Sequence, residues 1–213
     1  MVAASQFAPS RGAPMTPDEF IAWESKQDSK YEYIFGNIHA MTGGSIPHND
    51  IAVNLGTDLK NLLRGYGRGS GCKVLIADAK LQTSSSAYFY PDVMVTCDER
   101  DRTAIDAIRY PCLVVEVSSP STGFRDRSTK LHHYRHIETL QEYVLIDSER
   151  MFVEIYRRYD QNKWEYIVYL AEEITEGIDK SLNEIASEIE ITLTSINYSF
   201  SLAVLYENVI LSK

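Results

Sequence analysis

The sequence predicts an α/β fold, a mixed β-sheet with helices packed on its faces, and three observations lead there. Helical and strand-like apolar periods alternate along the chain in the order helix, strands, helix, strand, which is the order of a layered architecture. Residues 47–64 carry Ile51, Leu55, Leu59, Leu62 and Leu63 at helical spacing, so one stripe of a long helix is buried. Cys112-Leu113-Val114-Val115 is a near-continuous apolar run, the pattern of a strand covered on both faces, and that strand is expected at the centre of the sheet.

The first fifteen residues mix Ala, Ser, Pro and Gly with little apolar pattern and read as a flexible tail. Residues 16–213 read as a single domain, because no linker or internal repeat divides them. Thr16-Pro17-Asp18-Glu19 is a capping box with proline at the first helical position, and it predicts a short helix to about Ser25 anchored by Phe20 and Trp23. Residues 31–41 form two β-prone runs around Gly36-Asn37, an N-terminal hairpin. The glycine-rich stretch 65–71 ends the long helix, and residues 72–81 alternate as one strand with Asp78 and Lys80 on the face opposite Leu75, Ala77, Ala79 and Leu81. Residues 90–96 and 112–117 are further strands, 125–137 a helix and 143–147 a strand. Residues 152–159 and 164–169 pair as a C-terminal hairpin, and Leu193, Ile196, Phe200, Leu202, Val204 and Leu205 mark a last packing segment.

Composition narrows the function. The 213 residues carry a formal net charge of −9, the wrong sign for a protein that coats nucleic acid with its whole surface. Such a balance is compatible with an enzyme that concentrates a few cations locally around an acidic site. No run reaches the length of a membrane span and the N-terminal residues lack an apolar leader, so the protein is expected in the cytosol, away from membranes. Cys72, Cys97 and Cys112 have neither zinc-site spacing nor the density of a disulfide framework, and all three read as buried thiols.

The chemistry-bearing stretch is Tyr90-Pro91-Asp92-Val93, followed by Val114-Val115-Glu116-Val117-Ser118-Ser119-Pro120. A carboxylate inside an apolar strand is costly to bury unless a cation neutralises it. Two of them on neighbouring strands, Asp92 and Glu116, make a hard-oxygen pair suited to Mg²⁺ or Mn²⁺; taken singly, each fits a strand-end residue paired with arginine equally well. Lys130 borders the buried face of a helix whose Leu131 and Tyr134 face the core, so its flexible stem can bring an ammonium to the same place.

Pro-Asp, a spacer and Glu in an apolar strand resemble the PD-(D/E)XK nuclease superfamily. The position two after the second carboxylate, where that pattern usually has lysine, is Ser118; in a variant of the pattern the lysine stands on the following helix, as Lys130 does. The longer order Lys30-Tyr31-Glu32, Ile46-Pro47-His48-Asn49, Tyr90-Pro91-Asp92-Val93, Val115-Glu116-Val117-Ser118, Lys130-Leu131 with Tyr134, and Leu140-Gln141-Glu142-Tyr143-Val144 is similar to the Uma-type restriction endonuclease family. The resemblance implies a restriction-endonuclease-like fold with metal ligation by Asp92 and Glu116, a catalytic lysine in Lys130 and a supporting acidic role for Glu32.

Glu32 fits a second metal, a held water or an exposed strand position. His48, at a helix start after Gly43-Gly44-Ser45, fits a phosphate contact or a capping histidine. Arg125, Arg127, Lys130 and Arg135 against Asp126 form a local cationic surface for a polyanion, and Ser118, Arg125, Arg127 and Tyr134 join His48 as expected substrate contacts. His132 and His136 have zinc-like spacing but no third ligand, and the glycines of 65–71 stand in the reverse of the order a phosphate loop requires. The expected activity is metal-dependent hydrolysis of nucleic acid, DNA foremost, with a homodimer compatible with cutting two strands. The rival reading is a non-catalytic nucleic-acid- or protein-binding module that keeps the fold.

Overall fold

The computed structural model describes residues 14–41, 43–65, 71–83, 86–120, 122–172 and 180–211. The tail read over the first fifteen residues therefore lies outside the described residues except for Pro14 and Met15, as does most of the glycine-rich stretch 65–71. Thr16 caps α1 (Pro17–Glu24), with the reciprocal Thr16–Glu19 hydrogen bonds of a capping box. Phe20 stacks on Tyr33 and Tyr88, pinning α1 to a small four-stranded sheet.

That sheet runs β2-β1-β5-β4, from β1 (Tyr31–Ile34), β2 (Asn37–Ala40), β4 (Leu81–Gln82) and β5 (Ala87–Phe89). The β1–β2 turn is Phe35-Gly36, one residue earlier than expected, and both residues have positive φ (47° and 87°) as a two-residue I′ hairpin requires. The main sheet has order β10-β9-β8-β7-β6-β3, with β3 (Lys73–Ile76), β6 (Val93–Thr96), β7 (Leu113–Ser118), β8 (Glu142–Asp147), β9 (Phe152–Asp160) and β10 (Lys163–Leu170). The β7–β8 pair is parallel and the others antiparallel, so the sheet is mixed. β7 is interior and every residue of it is buried, as its apolar run requires.

Alternation in β6 and β7 divides the core. Val93, Val95, Leu113, Val115 and Val117 face α2 (Ile46–Gly65), whose Ile51, Leu55, Leu59 and Leu63 are buried; each such side chain contributes about 1.5–3 kcal/mol. The same side is closed by α5 (Leu182–Glu188), the hairpin of β11 (Glu190–Leu193) with β12 (Tyr198–Ser201), and α6 (Leu202–Leu205). Met94, Val114, Tyr143 and Leu145 face the other way and pack with Tyr134, Ile137 and Leu140. Glu116 shares the parity of Val114, so it enters this second, aromatic side.

Two expectations change. The strand read over residues 72–81 is two strands in two sheets, because Ala77 and Asp78 both adopt positive φ (44° and 55°) and turn the chain out of β3. Cys72 and Cys97 are joined in a disulfide, and Cys97 is exposed, so only Cys112 remains a thiol. They flank the Lys73↔Thr96 pair at the end of the β3–β6 ladder, where register places them directly opposite; residues far apart in sequence gave no spacing signal for this. Among the described residues no helix is long and apolar enough to cross a membrane.

The helix expected over 125–137 begins and ends earlier. It is one continuous stretch made of α3 (Gly123–Arg125), a π-turn (Asp126–Lys130) and α4 (Leu131–Tyr134). A π-turn inside a helix widens the winding locally and is a recurrent feature of functional sites. Here it carries Asp126 and Lys130, both buried.

Candidate active site

Backbone register sets the first two residues. Val93 pairs with Val115 across β6 and β7, so Asp92, at the bend preceding β6, stands beside Glu116. The Val117 N–H donates to Asp92 Oδ2 at 2.7 Å, which fixes that carboxylate against β7. Glu116 is 3% exposed, and burial pushes its carboxyl well above the usual range, with Lys130 opposing the shift. Two groups hold it: Tyr134 donates its hydroxyl to Oε1 at 2.7 Å, and Lys130 Nζ lies 2.9 Å from Oε2.

Lys130 is the centre of the cluster. Its ammonium also lies 3.4 Å from Glu32 Oε1 and 3.3 Å from Asp126 Oδ1. Burial works against its charge, but Glu116, Glu32 and Asp126 together raise its pKa above the ordinary lysine value, so it stays protonated. Glu32 is buried at 3% exposure, which removes the exposed-strand reading, and faces Arg125 Nη2 at 2.6 Å. The N–H directions of Arg125 miss that carboxylate, so the contact is Coulombic and Nη2 makes no directed hydrogen bond.

The structure gathers Asp92, Glu116, Lys130 and Glu32 at one end of the sheet. His48, on the first turn of α2, places Nε2 3.2 Å from Asp92 Oδ2; that hydrogen bond raises its pKa, against the effect of burial. Its ring is therefore engaged with a carboxylate and is not a simple cap. Four expected substrate contacts are engaged within the protein. Tyr134 is fully buried and cannot touch a polymer; it positions Glu116. Ser118 is buried and donates to Asp126 Oδ2 at 3.1 Å. Arg127 turns away from Lys130 to pair with Glu154, Nε to Oε2 at 2.7 Å, inside a groove of about 510 Å³ over the C-terminal ends of β7 and β8. Arg125 is committed to Glu32.

Asp126 was missed by sequence reasoning, which counted it only as the one acid in a basic stretch. Its four-residue spacing from Lys130 was the available signal.

The donor set suits a divalent cation. Glu32, Asp92, Glu116 and Asp126 bring four carboxyl groups against the two fixed cations Lys130 and Arg125, a surplus of hard oxygen donors of the kind a divalent ion takes. Among the described residues no three His, Cys, Asp or Glu side chains form a ready-made cage. Mg²⁺ does not require one, since it is bound through one or two carboxylates with waters and substrate phosphate completing the octahedron. Asp92 and Glu116, side by side on neighbouring strands, are the two carboxylates that could serve in this way.

A family model described as "Putative restriction endonuclease", Uma2, matches residues 17–192. The uncharacterized protein slr1290 of Synechocystis sp. PCC 6803 is 38% identical over 207 residues, 97% of each chain. The uncharacterized protein sll1609 of the same organism is 34% identical over 155 residues, 70% of this chain and 84% of that one. The crystal structure of a putative nuclease belonging to DUF820 from Anabaena variabilis superposes with a TM-score of 0.69 at 18% identity, covering 92% of this chain and all of that one, and so shares the fold. By the extent of the family match and of the identity to full-length relatives, this chain belongs to the Uma2 family.

Proposed function

We propose that this protein is a Mg²⁺- or Mn²⁺-dependent endonuclease that hydrolyses phosphodiester bonds in DNA. The observation that carries the reading is the meeting of Asp92 and Glu116 from neighbouring strands with the Lys130 ammonium from the following helix. The family description and the nuclease fold of the structural neighbour support the reaction class.

Asp92 and Glu116 would hold the divalent ion, which would supply Lewis-acid polarisation of the phosphate and a lowered pKa for a bound water. The chain's own residues do the rest. Lys130 keeps its proton, so it acts as a donor that orients the attacking water and offsets the charge growing on the phosphoryl oxygens. Tyr134 fixes the rotamer of Glu116, while the Val117 N–H and His48 fix Asp92. Attack forms a new P–O bond to the water oxygen and breaks the bond to the leaving oxygen, which takes up a proton.

A second reading, a binding module without catalysis, draws on the fact that Lys130 already neutralises Glu116 directly. Incubation of supercoiled plasmid with Mg²⁺ or Mn²⁺, with RNA and single-stranded DNA in parallel, separates the two. The nuclease reading expects metal-dependent cleavage that Asp92→Ala and Glu116→Ala each abolish while the fold is kept. Undiminished cleavage by either variant, or calorimetry showing no metal binding that depends on both carboxylates, overturns it.

A further inference from the structure

A second pocket, of about 270 Å³, is lined by Lys30, Lys73, Lys80 and Tyr90, with Asp78 and Asp106 among its walls. Its place relative to the site follows from strand geometry. Lys30 continues the β1 ladder, since the Met41 N–H donates to its carbonyl at 3.0 Å, and it stands two residues before Glu32. Positions two apart on an extended strand share a face about 6–7 Å apart, close to the step between successive phosphates of a nucleic-acid strand. The Lys30 ammonium lies 5.1 Å from the centre of the Tyr90 ring, two residues before Asp92. Asp78, its ion-pair partner at 2.5 Å, belongs to the turn whose Ala77 N–H donates to the Asp92 carbonyl at 2.8 Å.

The three lysines differ in their availability. Lys80 is neutralised by Glu24 at 2.7 Å and, being largely buried, forms part of the floor. Lys73 donates to the carbonyls of Asp101 and Arg102 at 2.9 and 2.7 Å, which hold its ammonium in place without cancelling its charge, and it forms no ion pair with a carboxylate among the described residues. Lys30 pairs with an aspartate whose side chain is 83% exposed, a solvated pair of little net strength that a phosphate can displace. In a chain of net charge −9, three lysines meet Asp78, Asp106 and Glu24 here, so this pocket is locally balanced where the neighbouring centre is acidic, and the Lys30 and Lys73 ammoniums are its exchangeable cations.

We infer that Lys30 and Lys73 bind a backbone phosphate of the nucleic acid adjacent to the one cleaved, an inference that rests on the nuclease reading. The pocket thereby fixes the register of the strand and compensates for the repulsion between the polyanion and the carboxylates beside it.

The test is binding without cleavage. Affinity of the full-length protein for a fluorescent DNA duplex is measured by anisotropy in EDTA across a series of salt concentrations. Each neutralised phosphate contributes about 0.9 to the slope of log K against log salt, so Lys30→Ala/Lys73→Ala is expected to weaken binding and reduce the slope by about 1. Lys163→Ala, on the distant edge strand, is expected to leave it unchanged. Circular dichroism confirms that the variants are folded, and Lys30→Arg/Lys73→Arg is expected to retain the slope. An unchanged slope in the double alanine variant, or no duplex binding by the wild type, overturns the inference. Binding of free phosphate or a mononucleotide that depends on the two lysines, with an unaltered DNA slope, also overturns it in favour of a small-anion pocket. If the slope is unchanged while plasmid cleavage still requires Asp92, the subsite fails and the nuclease reading stands.

Discussion

Tyr134 hydrogen-bonds Glu116 at 2.7 Å from a position with no solvent exposure, joining the helix that carries Lys130 to the central strand that carries the carboxylate. The contact makes the helix's position and the carboxylate's rotamer one variable. Tyr134→Phe keeps the ring packed against Phe89 and Tyr143 and removes only the donor. A hydrogen bond to a carboxyl group is worth about 0.5–1.5 kcal/mol when that group is neutral and about 1.5–3 kcal/mol when it is charged. The variant is expected to lose stability by an amount within those ranges in urea titration. Metal-dependent cleavage should fall together with metal affinity, since Glu116 loses an orienting partner. Unaltered metal affinity in calorimetry would show that Tyr134 serves packing alone.

Lys130→Met removes the ammonium and leaves Glu32, Glu116 and Asp126 facing one another in a buried space. Breaking a buried ion pair from one side costs about 3–5 kcal/mol, because the remaining charges have lost their compensation. The expected result is a large fall in the urea midpoint at neutral pH, partly recovered when Mg²⁺ is added or when the carboxylates are protonated at low pH. A stability within experimental error of the wild type, with no response to Mg²⁺, would mean that the cluster is already hydrated and that Lys130 does not hold it together.

Much of this site was legible before the structure, and the reason is local. Glu116 in an apolar strand and Asp92 after a proline are costly unless compensated, so their placement announces a cation wherever the strands lie. The central position of β7 followed from its uninterrupted apolar run. What did not follow was anything decided by tertiary register. The Cys72–Cys97 bond depends on the β3–β6 pairing, and the break at Ala77-Asp78 depends on two left-handed residues that carry no glycine to mark them. The redirection of Arg127 to Glu154 depends on where β9 lies, and a basic helix face gives no sign of it.

The cysteines give a direct check on the register. Cys72 and Cys97 are bonded, so unfolded, non-reduced protein is expected to titrate as one thiol per chain and reduced protein as three. In the folded state the remaining thiol is slow. Burial pushes Cys112 from 9.0 up to about 11, which reduces its thiolate fraction near pH 8 and its alkylation rate about a hundredfold relative to an unperturbed thiol. Rapid modification of Cys112 in native protein would contradict the packing of the β6–β7 edge. Three thiols without reductant would mean that the cross-strand pair stays reduced under the conditions of isolation, as reducing compartments favour.

His48 couples proton binding to the Asp92 carboxylate. The hydrogen bond to Asp92 raises its pKa above the ordinary 6.5, against the opposing effect of burial, so the folded state binds the proton more tightly than the unfolded chain. The stability from this pair is therefore fully present below the unfolded pKa and is lost as pH rises through the folded one. The same proton competes with a cation for Asp92, since protonated His48 holds the carboxylate and neutral His48 releases it. Affinity for Mg²⁺ or Mn²⁺ is expected to increase as pH rises from below 6.5 through the folded pKa of His48, and binding within that window is expected to release a proton. Calorimetry in buffers of different ionisation enthalpy measures that proton directly. His48→Gln should abolish the buffer dependence that belongs to this pair and flatten the pH profile of metal affinity, while leaving binding at high pH largely intact. If proton release persists unchanged in His48→Gln, the titrating group is Glu116, whose burial-raised carboxyl must also lose its proton to become a ligand.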